Sequence, residues 1–270
     1  MKLIATDMDG TLLHTDGSLS PFTLNALRNA NAHGANVVIA TGRMLGGIAQ
    51  FLRYMPFCRY CITTNGAEIY DCAKNERIYS RPVELKTALF VADYAKRHNV
   101  HMHAYVDNVL YTTAIDEISV LYKKATGLMG TLIENDIDDF LQNHTVSKLV
   151  LIDTPEKCNE FFKVLVDKLG ESASVVQSNK SFVEITSSLA TKGQALEFLI
   201  DYLGILPEET IAFGDSGNDI PMLAGPWHSR AVANAWDEAK QIAEKVIDSN
   251  DSDGVANELN LIFADKENFL

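Results

Sequence analysis

A chain of 270 residues with 47% hydrophobic and 22% charged side chains has the make-up of an ordinary globular protein, long enough for one large domain or two modest ones. Its formal net charge of −13 argues against nucleic acid and anionic membrane surfaces, both of which select a basic face. An anionic substrate must then be drawn in by a local cation against the global field. No apolar stretch reaches bilayer length, and Asp7 follows Lys2 too closely for a signal peptide. The expectation is a cytoplasmic protein.

Leu3-Ile4-Ala5 reads as a short buried strand that runs into Asp7-Met8-Asp9-Gly10-Thr11. Two carboxylates at a strand end make a poor core element, because an unpaired buried charge is costly. They make a better site. Asp7 suits a carboxylate nucleophile attacking phosphorus, and Asp9 suits handling the leaving group's proton. Ser20-Pro21 then offers an N-cap and first-turn proline for a helix that His33-Gly34 closes. Residues 36–40 form a continuous apolar strand ending in Thr41-Gly42-Arg43, where Arg43 is open to two roles, contacting phosphate or packing at the domain edge.

A further helix leads to a strand opened by Cys61 and stopped by the turn signal Asn65-Gly66; a small hairpin follows over 67–79. Cys58-Arg59-Tyr60-Cys61 matches C-x-x-C, yet no second ligand pair exists for a structural zinc, so Cys58, Cys61, Cys72 and Cys158 read as core and surface filler. The middle of the chain changes character. Strands are expected over 101–106, 109–112, 148–152 and 181–185, with helices between. His101, His103 and Tyr105 fall on one strand face; that face is expected to be exposed or to pack against a helix, with contact to a sugar or ring substrate as the alternative. Strand-helix alternation then resumes: Thr191-Lys192-Gly193 opens a helix stopped by Gly204, and residues 210–213 form a strand before Gly214-Asp215-Ser216-Gly217-Asn218-Asp219.

The fold class expected is α/β, a doubly wound parallel Rossmann-like core made of 1–81 and 188–270, with an inserted α/β cap at 82–187 acting as a substrate-selecting lid. In such a sheet, ligands bind outside the carboxyl ends of the strands, where Asp7, Thr41 and Asp215 all fall. Asp7, Asp9 and Asp215 offer hard oxygens that repel one another without a cation, a set suited to magnesium. The Thr41 hydroxyl, nearby backbone N–H groups and Lys192 at a helix start supply donors for a phosphoryl group.

These four segments, in this order, resemble the motifs of the haloacid dehalogenase superfamily in its Cof-type branch of phosphatases with a large α/β cap. The strings Asp7-Met8-Asp9-Gly10-Thr11, Ala40-Thr41-Gly42-Arg43, Thr191-Lys192-Gly193 and 214–223 carry it, together with Thr64-Asn65-Gly66-Ala67, Val232-Ala233-Asn234-Ala235 and Asp253-Gly254-Val255-Ala256. Residues 225–230 depart from the branch's pattern, which bears on local loop geometry alone.

The resemblance implies that Asp7 becomes an aspartyl-phosphate and a magnesium ligand. It makes Asp9 the general acid, then the base for the hydrolytic water, and gives its backbone carbonyl to the metal. It makes Asp215 the third protein ligand and places Asp219 behind the ligands, orienting metal-bound water. Met8 backbone, Thr41, Gly42, Lys192 and Asn218 would hold the phosphate. An aspartate at position 9 separates the chain from ion-pumping ATPases, which carry threonine there, and from dehalogenases, which lack the second aspartate and the metal.

The expected function is therefore magnesium-dependent hydrolysis of the phosphomonoester of a small cytosolic metabolite, a sugar phosphate or phosphorylated vitamin form. The partner is that metabolite, with no nucleic acid, membrane or obligate protein partner implied. The alternatives are a phosphomutase and a receiver-like aspartyl-phosphate switch.

Overall fold

The computed structural model describes residues 1–264, apart from the side chains of Ala125, Ser178 and Asn179. The chain divides into two compact units. One is made of Met1–Arg43, Ile48–Tyr79 and the chain from Thr191 on; the other is made of Met44–Gly47 and Ser80–Ala190.

The first unit is built on an eight-stranded sheet. Its N-terminal half supplies β1 (Leu3–Thr6), β2 (Asn36–Ala40), β3 (Tyr60–Thr63), β4 (Glu68–Asp71) and β5 (Glu76–Ser80). Its C-terminal half supplies β12 (Thr210–Gly214), β13 (His228–Val232) and β14 (Lys245–Ile247), in the order β14-β13-β12-β1-β2-β3-β4-β5. The pairs from β14 to β3 are parallel and β4 returns antiparallel to β3. Ala5 lies between Val38 and Ala212 in register. Every residue of β1, β3 and β12 is buried, as strands covered on both faces must be.

Helix α7 (Lys192–Leu203) carries Ala195, Leu196, Leu199 and Ile200 into one cluster with Leu3, Ala5, Val38, Ala212 and Met222. The Thr191 hydroxyl caps it by accepting from the Gln194 amide. Truncating one of these leucines to alanine would cost about 2–5 kcal/mol. Helices α1 (Pro21–Ala32) and α10 (Gly254–Ala264) pack on each other. The Ser20 hydroxyl caps α1 through the Thr23 amide. The sheet therefore presents the ends of β1, β2 and β12 side by side, as expected for an α/β fold with a parallel sheet core.

The second unit has its own six-stranded sheet, in the order β10-β11-β9-β6-β7-β8. These strands are β6 (His101–Val106), β7 (Val109–Thr112), β8 (Thr131–Leu132), β9 (Lys148–Ile152), β10 (Ala173–Asn179) and β11 (Phe182–Ser187). All its pairs are antiparallel except β7 with β8. Period-two alternation divides β6 cleanly. Met102, Ala104 and Val106 join a core cluster with Val91 and Ala92 of α3 (Leu85–His98) and Phe161 and Leu165 of α6 (Pro155–Leu169). Tyr105 joins a separate cluster with Tyr122 of α4 (Glu117–Thr126). The sequence sets no bounds for strand β10 and marks only a turn between strands at Asn179-Lys180. The strand carries the adjacent pair Val175-Val176 and a register shift between Val176 and Asn179, which together erase the alternation that marks a strand.

Candidate active site

Asp7 is the first residue beyond β1, and its amide donates to the Phe213 carbonyl of β12 at 3.0 Å. The chain then turns at Gly10, whose φ is +82°. A Cβ there would stand 2.8 Å from Asp215 Oδ2, so this position demands glycine twice over, for its backbone and for its emptiness. The Gly10 carbonyl accepts from Asn234 Nδ2 at 2.7 Å.

Lys192 begins α7, and its ammonium is completely buried. It donates to Asp7 Oδ1 at 2.6 Å and to Asp219 Oδ1 at 2.7 Å. The other oxygen of Asp219 accepts from the amides of Asp215 and Ser216, each at 3.0 Å. Asp219 is thus committed to bracing the Asp215 loop and Lys192. The Thr11 hydroxyl donates to Asp215 Oδ1 at 2.8 Å.

Asp7, Asp215 and Asp219 each offer an oxygen within 4.8 Å of the others. Burial pushes the Asp7 carboxyl up, Lys192 opposes this, and repulsion from Asp219 and Asp215 adds to it, leaving it well above the usual carboxylate range. Burial likewise raises Asp215, to about 6, although the Thr11 hydrogen bond resists. Burial alone would lower the Lys192 ammonium, but Asp219 and Asp7 outweigh it and hold its pKa above the ordinary value. Three carboxylates and one ammonium leave an excess of negative charge that a cation would relieve. The donors are all hard oxygens, so the residues present fit magnesium.

The carboxylate of Asp9 does not join this cluster. It lies against Arg43, which donates from Nε to Asp9 Oδ2 at 2.8 Å and from Nη2 to Asp9 Oδ1 at 2.5 Å. The Asp9 side chain stays half exposed, at 52%.

Thr41 is buried and follows β2; its hydroxyl accepts from the Arg43 amide at 3.2 Å. Next to it, a Cβ on Gly42 would meet Asn65 Oδ1 at 2.6 Å. Asn65 Oδ1 in turn accepts from Asn218 Nδ2 at 2.9 Å, and the Asn218 Oδ1 accepts from the Ser216 hydroxyl at 2.8 Å. Asn65 therefore ties the segment after β2 to the loop after β12. The sequence marked Asn65-Gly66 as a turn within one of the motif strings, without a role for Asn65.

The backbone at this point is strained: Thr64 and Asn65 have φ of +53° and +58°. A β-branched residue in that region is an outlier, and such strain costs of order 1–3 kcal/mol. It is held by the Thr64 amide on the Arg43 carbonyl and the Asn65 amide on the Thr41 carbonyl. The Thr64 hydroxyl is buried without a hydrogen-bond partner.

Of the residues singled out in the sequence, Asp7, Asp215, Asp219 and Lys192 meet directly. Met8 has a fully buried side chain, leaving its backbone as the polar part beside Asp7. Thr41, Gly42 and Asn218 converge on Asn65. Thr11, Asn65, Ser216 and Asn234, which the sequence supplied as members of the motif strings without individual roles, also contribute contacts, and Arg43 holds the Asp9 carboxylate. Within the inserted unit, His101 and His103 do share a face, and their Nε2 atoms lie 2.9 Å apart. His101 also contacts Asp116 and Thr112, while the Tyr122 ring stands edge-on to His103 at 4.3 Å. That face is buried beneath α4, as the packing alternative required.

Comparison with known proteins agrees with this architecture. Residues 4–259 match the haloacid dehalogenase-like hydrolase family. The chain is 29% identical over 288 residues to the Bacillus subtilis phosphatase YwpJ, covering 95% of this chain and 98% of that protein. It is 28% identical over 256 residues to 5-amino-6-(5-phospho-D-ribitylamino)uracil phosphatase YcsE of Bacillus subtilis, covering 95% of this chain and 93% of that one. A crystal structure of a Thermotoga maritima protein superposes with a TM-score of 0.87 at 28% identity, covering 96% of this chain and 97% of the other. The molecule is a phosphatase. It belongs to the haloacid dehalogenase-like hydrolase family.

Among the described residues no helix is long and apolar enough to cross a membrane.

Proposed function

We propose that this phosphatase hydrolyses the phosphomonoester of a small metabolite through a phosphorylated Asp7, with magnesium as its cofactor. The observation that carries the reading is the Asp7 carboxylate at the end of β1, held by the buried Lys192 ammonium at 2.6 Å and facing Asp215. The Asp7 oxygen forms a bond to phosphorus as the bond to the leaving oxygen breaks. Asp9 gives that oxygen its proton, then takes a proton from the water that attacks phospho-Asp7.

The Lys192 ammonium, the Thr41 hydroxyl, the Met8 and Gly42 amides and the Asn218 amide group are assigned to the phosphate oxygens. Asp7, Asp215 and the Asp9 backbone carbonyl would hold magnesium, with Asp219 behind them. When bound, the ion supplies positive charge that lets an anionic ester approach a carboxylate. Lys192 offers the same relief permanently, since the partners that surround it keep it protonated.

We assign substrate choice to the unit inserted at 82–187 and the chemistry to 1–81 with 188–270. In support, the inserted unit has a hydrophobic core of its own, so its surface can vary without disturbing the carboxylates. The relative YcsE is named for a substrate bearing a 5-phospho-D-ribityl group, which favours sugar phosphates and related phosphorylated precursors.

The test is phosphate release from a panel of such esters with magnesium present. Asp7→Asn should abolish turnover with the fold intact. Full activity in that variant would sink the mechanism, and isomerised product in place of inorganic phosphate would make the enzyme a mutase.

A further inference from the structure

Three of the four cysteines, scattered as 58, 61 and 72 in the chain, come together in the first unit. Cys61 lies in β3 and Cys72 just past the end of β4, where the Cys72 amide donates to the Arg59 carbonyl at 2.7 Å. Their sulfurs are 3.5 Å apart, and Cys58 Sγ is 4.0 Å from Cys61 Sγ on the other side. Cys58 and Cys61 are buried, whereas Cys72 is partly exposed.

We propose that Cys72 and Cys61 form a peroxide-oxidisable dithiol, in which Cys72 is attacked from solvent and Cys61 resolves it to a reversible intrachain disulfide. The Cys72 thiolate attacks one oxygen of hydrogen peroxide, the O–O bond breaks, and hydroxide leaves to become water. Cys72 is then a sulfenic acid. Cys61 Sγ attacks that sulfur, and the proton of Cys61 goes to the departing hydroxyl, releasing a second water. Two thiols are oxidised and one peroxide is reduced to two waters.

The geometry separates the roles. A peroxide reaches Cys72 first because it alone of the three meets solvent. The neighbouring Cys61 thiol also holds the Cys72 pKa below the ordinary value, while contacts with Cys58 and Cys72 together with burial raise that of Cys61. A disulfide needs the sulfurs to close from 3.5 Å to about 2.05 Å. Cys72 starts the turn between β4 and β5, just beyond the last paired residue of β4. Cys61 competes for two partners. We assign Cys72 rather than Cys58, because the Cys72 contact is shorter and Cys58 is closed to solvent.

The experiment is treatment of the intact, folded chain with hydrogen peroxide, followed by alkylation, trypsin and mass spectrometry. Cleavage after Arg59 and Lys74 leaves Cys61 and Cys72 together in residues 60–74, while Cys58 falls in the preceding peptide. The expected product is peptide 60–74 lighter by two hydrogens, restored by dithiothreitol, with Cys158 still alkylatable. Cys61→Ser should leave Cys72 trapped as a sulfenic acid, and Cys72→Ser should leave Cys61 reduced. Circular dichroism during treatment reports that the chain stays folded. A cross-link joining peptide 60–74 to the Cys58 peptide, over-oxidised Cys72 beside a free Cys61, or oxidation confined to Cys158 would each overturn the proposal.

Discussion

Arg43 grips the carboxylate of Asp9 with two parallel hydrogen bonds, Nε to Oδ2 at 2.8 Å and Nη2 to Oδ1 at 2.5 Å. Such a fork fixes the plane of the carboxylate as well as its position. The arginine that follows Thr41-Gly42 is thus spent on the proposed acid-base group. Asp9→Ala should lower kcat by about 10²–10⁴-fold. Arg43→Ala should cost less, on the order of tenfold, because Asp9 remains present but loses its orientation. Steady-state kinetics on one substrate check both; an Arg43→Ala variant that raises KM alone would instead place Arg43 on the substrate.

Lys192 is the cation on which the buried carboxylates depend. Removing one partner of a buried ion pair strands the other charge, typically at about 3–5 kcal/mol. Lys192→Met should therefore lower stability by that order as well as abolish turnover, with urea unfolding as the measurement. Loss of turnover without loss of stability would mean that the buried carboxylates do not depend on Lys192 for their place in the fold.

Asn65 is the brace between Asn218 and the Gly42 segment. Asn65→Gly keeps the left-handed backbone and deletes only the carboxamide. Loss of that hydrogen bond, worth about 1 kcal/mol, should raise KM several-fold while leaving the melting temperature nearly unchanged. Asn65→Val, which cannot relax at positive φ, should instead destabilise the chain.

Magnesium affinity should depend on pH. Burial pushes Asp215 up to about 6 without a cation and raises Asp7 as well, so protons compete with the metal at both carboxylates as pH falls. Affinity measured calorimetrically should weaken as pH falls, by at least about tenfold per unit below 6. Chelation should abolish phosphate release, and readdition of magnesium should restore it. Affinity independent of pH would take Asp215 out of the ligand set.

His103 gives the inserted unit an acid-sensitive joint. Burial first, and then His101, lower its pKa from 6.5 to about 3 in the folded chain. Between those values the unfolded chain binds the extra proton, so stability is lost as pH falls from 6.5 toward 3, by up to about 1.4 kcal/mol per unit. His103→Leu should flatten that part of the stability profile in denaturant titrations at pH 4, 5, 6 and 7. An unchanged slope would assign the acid sensitivity to other groups.

The sequence by itself determined which residues stand at the strand ends. A short apolar run such as 36–40, bounded by turn signals, reads as a strand buried on both faces, and a parallel sheet of such strands brings Asp7, Thr41 and Asp215 to one edge. The capping residues Ser20 and Thr191 equally set where α1 and α7 begin.

What the tertiary structure decided were the pairings between segments. Arg43 on Asp9 and Asn65 between Gly42 and Asn218 join loops at that edge, and Cys72 meets Cys61 at the opposite edge, where β4 ends beside the start of β3. No periodicity records a hydrogen bond between two loops. The same limit hid the extent of β10, whose bulge breaks the alternation, and the strain at Thr64, which local propensity opposes and backbone hydrogen bonds from Thr64 to Arg43, Asn65 to Thr41 and Ala67 to Thr64 sustain.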